Sequence, residues 1–146
     1  DLRTRVDQVV EEVTKKMEKD YSISCLQTGG SMTENLQGIK VSFGAFRKGS
    51  IEEAREIEIE AIHRLIKSIN EDEQLHSHLC ESPFPASRVQ VSLSFYSNPE
   101  GDLAHISHRD GTIRYKTRDS KSDRFKILQK ESLNEAEQII QSKMPQ

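Results

Sequence analysis

A chain of 146 residues that is 34% hydrophobic, 31% charged and 5% aromatic, with no Trp, must build its core from aliphatic side chains. Leu, Ile, Val and Phe supply 35 of the 146 residues, above the level of about 20% below which disorder is expected, so one folded domain over 1–146 is expected. A formal net charge of −3 excludes a generally basic nucleic-acid binder, and no run reaches the roughly 18 apolar residues of a membrane span.

The chain opens on Asp1 rather than Met, as expected of a processed or trimmed chain. Leu2, Val6, Val9, Val10, Val13 and Met17 recur at spacings of three and four, one stripe of a helix. Tyr21, Ile23 and Cys25 then alternate, as do Ile39, Val41, Phe43 and Ala45, predicting two strands. Between them the polar stretch Thr28–Gln37, with Gly29 and Gly30, predicts a flexible loop. Ser50 and Glu53 have capping-box spacing ahead of a second helix. Its stripe is Ile51, Ala54, Ala61, Ile62, Leu65, Ile66 and Ile69, widened by Ile57 and Ile59, and it fades near Asn70. Arg55 and Glu58 interrupt that stripe. Three residues apart, they can pair with each other partly wet, or else form a buried ion pair or a subunit contact.

Leu75 and Leu79 suit a short turn, and Pro83 and Pro85 enforce extended backbone. Val89, Val91, Leu93 and Phe95 predict a strand that ends at the turn Asn98-Pro99-Glu100-Gly101. Asp110-Gly111 predicts a type I′ hairpin that sets His108 opposite Ile113 and Ile106 opposite Tyr115, and sends His105, Arg109, Arg114 and Lys116 to the other face. A loop is expected over Asp119–Asp123, a short edge strand at Phe125 and Ile127, and a last helix behind the box Ser132/Glu135 carrying Leu133, Ala136, Ile140 and Met144. The order α-β-β-α-β-β-β-(β)-α predicts an α+β fold: a mostly antiparallel sheet of five or six strands, packed on one face by helices.

Two stretches resemble a small family of uncharacterised, exported bacterial proteins. One is Thr28-Gly29-Gly30-Ser31-Met32 followed by Ile39-Lys40-Val41-Ser42-Phe43. The other runs from Ile69-Asn70 through Leu79, Pro83-Phe84 and the strand Arg88–Phe95 to Gly111-Thr112-Ile113-Arg114-Tyr115. The resemblance covers under half of the chain. It implies an exported domain, periplasmic or secreted, and brings no activity with it.

His76, His78 and Cys80 stand at alternate positions beside Glu81. They would converge as zinc ligands only on extended backbone, at a spacing that matches no standard zinc motif; solvated loop histidines are the simpler expectation. Cys25 and Cys80 allow one disulfide, which an exported protein permits. Ser31 lacks the surroundings of a nucleophile elbow, and no nucleophile, base and orienting group can be assembled from the sequence.

Charge is segregated. Residues 51–82 hold nine acidic side chains against Arg55, Arg64 and Lys67, and residues 103–130 hold eight basic ones against Asp110, Asp119 and Asp123. Strand parity gathers Ser22, Ser24, Lys40, Ser42, Arg88, Gln90, Ser92, Ser94, His105, Arg114 and Lys116 on an uncovered sheet face, small, basic and without aromatic platforms. The expected function is a non-enzymatic binding module without a cofactor. It would be a monomer or weak homodimer that meets an acidic protein or anionic ligand, rather than nucleic acid, through Lys40, Arg88, His105, Arg114 and Lys116. A cytosolic, dimeric secretion chaperone, similar in size, acidity and element order, is the alternative, and a metal-dependent enzyme using His76, His78 and Cys80 is the third.

Overall fold

The computed structural model describes residues 1–122 and 124–144. Asp1 caps the first helix, α1 (Leu2–Tyr21), by accepting the Thr4 N–H at 2.8 Å. Val6, Val9, Val10, Val13 and Met17 are buried along it, as their spacing requires. Ser22, left-handed at φ 54°, ends the helix. Tyr21 is therefore the last residue of a helix and not the first of a strand: the stop is a serine in a conformation that sequence normally signals with glycine.

β1 (Ser24–Met32) and β2 (Leu36–Ala45) pair antiparallel. The long loop expected over Thr28–Gln37 contracts to Thr33–Asn35, because Thr28, Gly29, Gly30 and Ser31 continue β1 opposite Val41, Lys40, Ile39 and Gly38. Glycine carries no side chain to mark a period of two, yet its backbone still donates and accepts in the ladder.

Ser50 Oγ accepts the Glu53 N–H and opens α2 (Ile51–Glu71). The Glu53 carboxylate takes Arg47 as its partner instead of returning to the Ser50 backbone, so the expected capping box is half made. After short 3-10 turns at His76–His78 and Ala86–Arg88 come β3 (Val89–Phe95), β4 (His105–Arg109), β5 (Thr112–Asp119) and β6 (Arg124–Ser132). α3 (Leu133–Ser142) follows behind a complete Ser132/Glu135 box. Asp110 and Gly111 have φ of 50° and 80°, the left-handed pair a type I′ turn demands. They set His108 opposite Ile113 and Ile106 opposite Tyr115, as expected. Ser120–Ser122 turn after β5, and Asp123, the end of the loop expected there, lies outside the described residues.

The six strands form one sheet in the order β1-β2-β3-β4-β5-β6. β2 and β3 run parallel and every other neighbouring pair is antiparallel, the mostly antiparallel α+β sheet that the element order implied. α2 packs over β3 and β4, with α1 beside it toward β1 and α3 beside it toward β6. One face of the sheet is thus covered and the other is open.

The interruption in the α2 stripe resolves differently from the pairing expected. Arg55 does not bond Glu58. It reaches across Tyr115 to Glu131 on β6, with Nε donating to Oε1 at 2.8 Å and Nη2 to Oε2 at 3.1 Å. Its guanidinium carbon lies 5.6 Å from the Tyr115 ring centre, and the Tyr115 hydroxyl donates to the same Glu131 carboxylate. All three side chains are buried. The bond to Glu131 raises the Arg55 pKa, while burial, followed by the Glu131 bond, pushes the Tyr115 hydroxyl far above its ordinary value. Glu58 is fully buried, and neither carboxylate oxygen has a hydrogen-bond partner among the described residues. Burial alone pushes its carboxyl well above the usual range, which favours the protonated, neutral form.

Two outcomes follow. Glu131→Ala should cost about 3–5 kcal/mol in urea unfolding by stranding the Arg55 charge, whereas the double variant Arg55→Leu/Glu131→Leu should recover most of that loss. Independent, additive effects of the two sites would dismiss the pair. For Glu58 the sign is opposite to that of an ordinary carboxylate: the folded state holds the proton longer than the unfolded chain. Its contribution is therefore intact below the unfolded pKa and is lost as pH rises toward the folded value. Glu58→Gln should match wild type near about pH 4.5 and gain on it by up to about 1.4 kcal/mol per pH unit above that. Thermal unfolding of both proteins across pH measures this, and a difference that does not change with pH contradicts a protonated Glu58.

Candidate open-face binding site

The register lays the open face out in rows. One crosses all six strands as Gln27, Ser42, Ser92, Ser107, Arg114 and Lys130; the next reads Ser24, Gly44, Ser94, His105, Lys116 and Ile127; a third holds Gly29, Lys40 and Gln90. The intervening rows, among them Phe43, Leu93, Ile106 and Tyr115, face the helices. The floor is therefore serine. Ser92 donates to Ser42 across the parallel pair at 3.0 Å, and Ser94 Oγ bonds His105 Nδ1 at 2.9 Å. A shallow depression of about 500 Å³ lies over it, bounded by Lys40, Ser92, His105, Ser107, Arg114 and Lys116.

Of the predicted site residues, Lys40, His105, Arg114 and Lys116 come together here. None of Lys40, Arg114 and Lys116 is in an ion pair among the described residues. Arg88 stands apart. It is held at one end of the face by Glu81 at 3.0 Å and by the Gln37 carbonyl at 3.0 Å, so its charge is already engaged. His105 is held near pKa 4 by burial and then by the neighbouring Lys116 charge, so at neutral pH it is an uncharged ring. His108 faces the opposite way, into the core: the Val89 carbonyl accepts from Nδ1 at 2.8 Å and the Gly111 N–H donates to Nε2 at 3.1 Å. Those two partners define its neutral tautomer, and burial lowers its pKa.

The open face is not free of aromatics, contrary to expectation. Phe125 stacks on His105 with ring centres 5.2 Å apart, and Phe46 stacks on Tyr96 at 4.8 Å. Leu26 and Tyr96 close over Gly44, where a Cβ would meet them at 2.8 and 2.9 Å. Gly44, set between buried Phe43 and Ala45, was the sequence signal for that close approach. Phe125 had none, since its side rests on a strand register that is shifted between Tyr115 and Lys116.

The metal candidates do not converge. His76 and His78 lie on a 3-10 turn, where about 120° per residue sets them on different sides. Both are exposed, as is Cys80, and among the described residues no group of three or more His, Cys, Asp or Glu could hold a metal ion. Cys25 and Cys80 are free thiols. Cys25 pairs with Phe43 while the Cys80 N–H bonds the Leu36 carbonyl, so they sit at opposite ends of β2, separated by roughly 23 Å of strand and far beyond bridging reach. No helix among the described residues is long and apolar enough to cross a membrane. No protein-family model, curated protein or solved structure matches this chain.

The charge of this face should not change through the physiological pH range. In a carbon-resolved NMR titration the His105 ring should titrate near pH 4, and a midpoint near its ordinary value of about 6.5 would remove the buried, Lys116-repelled ring from this account.

Proposed function

We propose that this protein is a non-enzymatic binding module that meets an acidic protein surface, or another anionic ligand, through the open face of its sheet. The observation that carries this reading is the set of three cations, Lys40, Arg114 and Lys116, standing without ion-pair partners among the described residues at the margin of a serine floor. A cation with no internal partner keeps its full charge for a ligand, and serine hydroxyls both donate and accept toward carboxylate oxygens. Nucleic acid fits less well. The aromatic rings on this face are already stacked on neighbours, and the chain as a whole carries a net charge of −3. Placement of the protein outside the cytosol rests on the resemblance of its two stretches to exported proteins.

A fluorescent oligoglutamate peptide, followed by anisotropy, tests the reading. Wild type should bind it with an affinity that falls as salt screens the contact. Arg114→Glu/Lys116→Glu should bind at least about tenfold more weakly while keeping its circular dichroism, since neither side chain packs in the core. Equal binding by the double variant would reduce the face to a solvated surface.

A further inference from the structure

The sheet has two edges, and they are built differently. β1 is interrupted twice, by register shifts at Cys25/Gln27 and at Ser31/Met32, which blunt an edge against further pairing, whereas β6 is shifted once, where Leu128 is the extra residue, and is regular from Arg124 to Ile127. β6 spans nine residues, and Phe125, Ile127 and Leu128 are 48%, 48% and 41% exposed along it. Its inner side pairs with β5, while on its outer side every second residue turns an N–H and a C=O away from the sheet. A long edge with exposed apolar side chains is a template for another strand.

The chemistry of that strand can be read from parity. Phe125 lies opposite Arg118 and Ile127 opposite Lys116, and Phe125 stacks on His105, so both belong to the open face. Arg124 lies opposite Asp119 and Lys126 opposite Thr117, on the helix side. A strand laid along Arg124–Ile127 would therefore meet Phe125 and Ile127 on the open face and Arg124 and Lys126 on the other, while Lys130, opposite Arg114 beyond the register shift, belongs to the open face. Arg124, Lys126 and Lys130 are in no ion pair among the described residues. The acid of the strand, Glu131, is consumed by Arg55 and Tyr115. A second β6 would bring its own cations against these, with no free carboxylate among the described residues of the strand to offset them. We propose that β6 takes up, as a seventh strand, an extended segment of another protein in which acidic and apolar residues alternate, the carboxylates facing Arg124 and Lys126 and the apolar side chains covering Phe125 and Ile127. This rests on strand order, exposure and charge at the edge, and holds or fails independently of the open-face reading.

The probe is a synthetic peptide as long as β6 that alternates glutamate and valine, added to the full chain with amide NMR and hydrogen exchange as readouts. The outward amides of β6 should gain protection, with shifts centred on Arg124–Lys130. A peptide methylated at its own backbone nitrogens should not bind. Lys126→Glu should weaken the glutamate peptide by about tenfold and favour the lysine–valine counterpart instead, as expected when a cross-strand attraction becomes a repulsion. Four results would overturn the proposal: no binding by wild type; binding that survives backbone methylation; shifts centred on Lys40 and Arg114, which would mark adsorption on the open face; or β6 amides already protected in a dimer without peptide, which would mean that the edge pairs with a second copy.

Discussion

β2 and β3 lie side by side and run the same way, from Ile39 beside Val89 to Ala45 beside Phe95. A parallel pair cannot be closed by a turn, so the chain leaving Ala45 must travel back the length of the sheet before Val89. α2 makes that return, and it can do so only over one face. Its apolar stripe then commits that face to the core, and α1 and α3, packed on either side of α2, extend the same layer. With no helix left for the other side, the period of two sorts every strand: Val91, Leu93, Ile106 and Tyr115 go inward, and Ser92, Ser94, Ser107 and Arg114 go out. The open face is thus a consequence of the crossover, and its composition is how the sequence accommodates it.

The same division separates the charges. On the helix layer some of the acidic groups meet partners of the same layer: Asp72 with Arg5, Glu60 and Asp20 with Arg64, and Glu137 against the His63 ring. Arg5 is the first cause holding the Asp72 carboxyl below its ordinary range. These pairs are partly exposed and individually weak, and they offset only part of the acidic charge there, since residues 51–82 hold nine acidic side chains against three basic ones. Lys40, Arg114 and Lys116 have no ion-pair partner among the described residues, so a chain of net charge −3 presents one face that is locally positive. Net charge describes the molecule as a whole and says little about which face a partner meets.

What the sequence disclosed and what it hid divide along a physical line. Side chains that repeat with a period announced themselves: α2 was legible through Ile57, Ile62 and Leu65, and the β4–β5 register through Asp110-Gly111, which also placed His105 and His108 on opposite faces. Gly29 and Gly30 resemble a loop in the sequence because a residue without a side chain has no period, although its backbone pairs. Arg55 and Glu58 stand out in the stripe as anomalies, but the pair their spacing suggests does not form. Helical geometry names neighbours three and four residues away, whereas the carboxylate that Arg55 found lies 76 residues further on, visible only once β6 is folded against β5. Cys25 and Cys80 were left open as a disulfide for the same reason, since nothing local states that they attach to opposite ends of β2. Phe125 was lost to the register shift at Tyr115/Lys116, which removes the simple parity on which a face assignment depends.

Phe125 is also where the two proposed surfaces, the open face and the β6 edge, meet. Its ring lies on the open face against His105, while its backbone belongs to the outer edge of the sheet. Ile127 occupies the same corner one pair further on, opposite Lys116. A partner that adds to the edge would therefore bring its neighbouring residues over Lys116 and the serine floor, and an acidic one would find favourable charge in both places. The cations along β6 contribute a second effect. Edge strands commonly carry lysine because like charge deters self-pairing, and Arg124, Lys126 and Lys130 deter a second copy while leaving an acidic strand unopposed. Under the proposal, the like charge that disfavours a second β6 is the same feature that would select an acidic strand, so exclusion and recognition at this edge would have one physical origin.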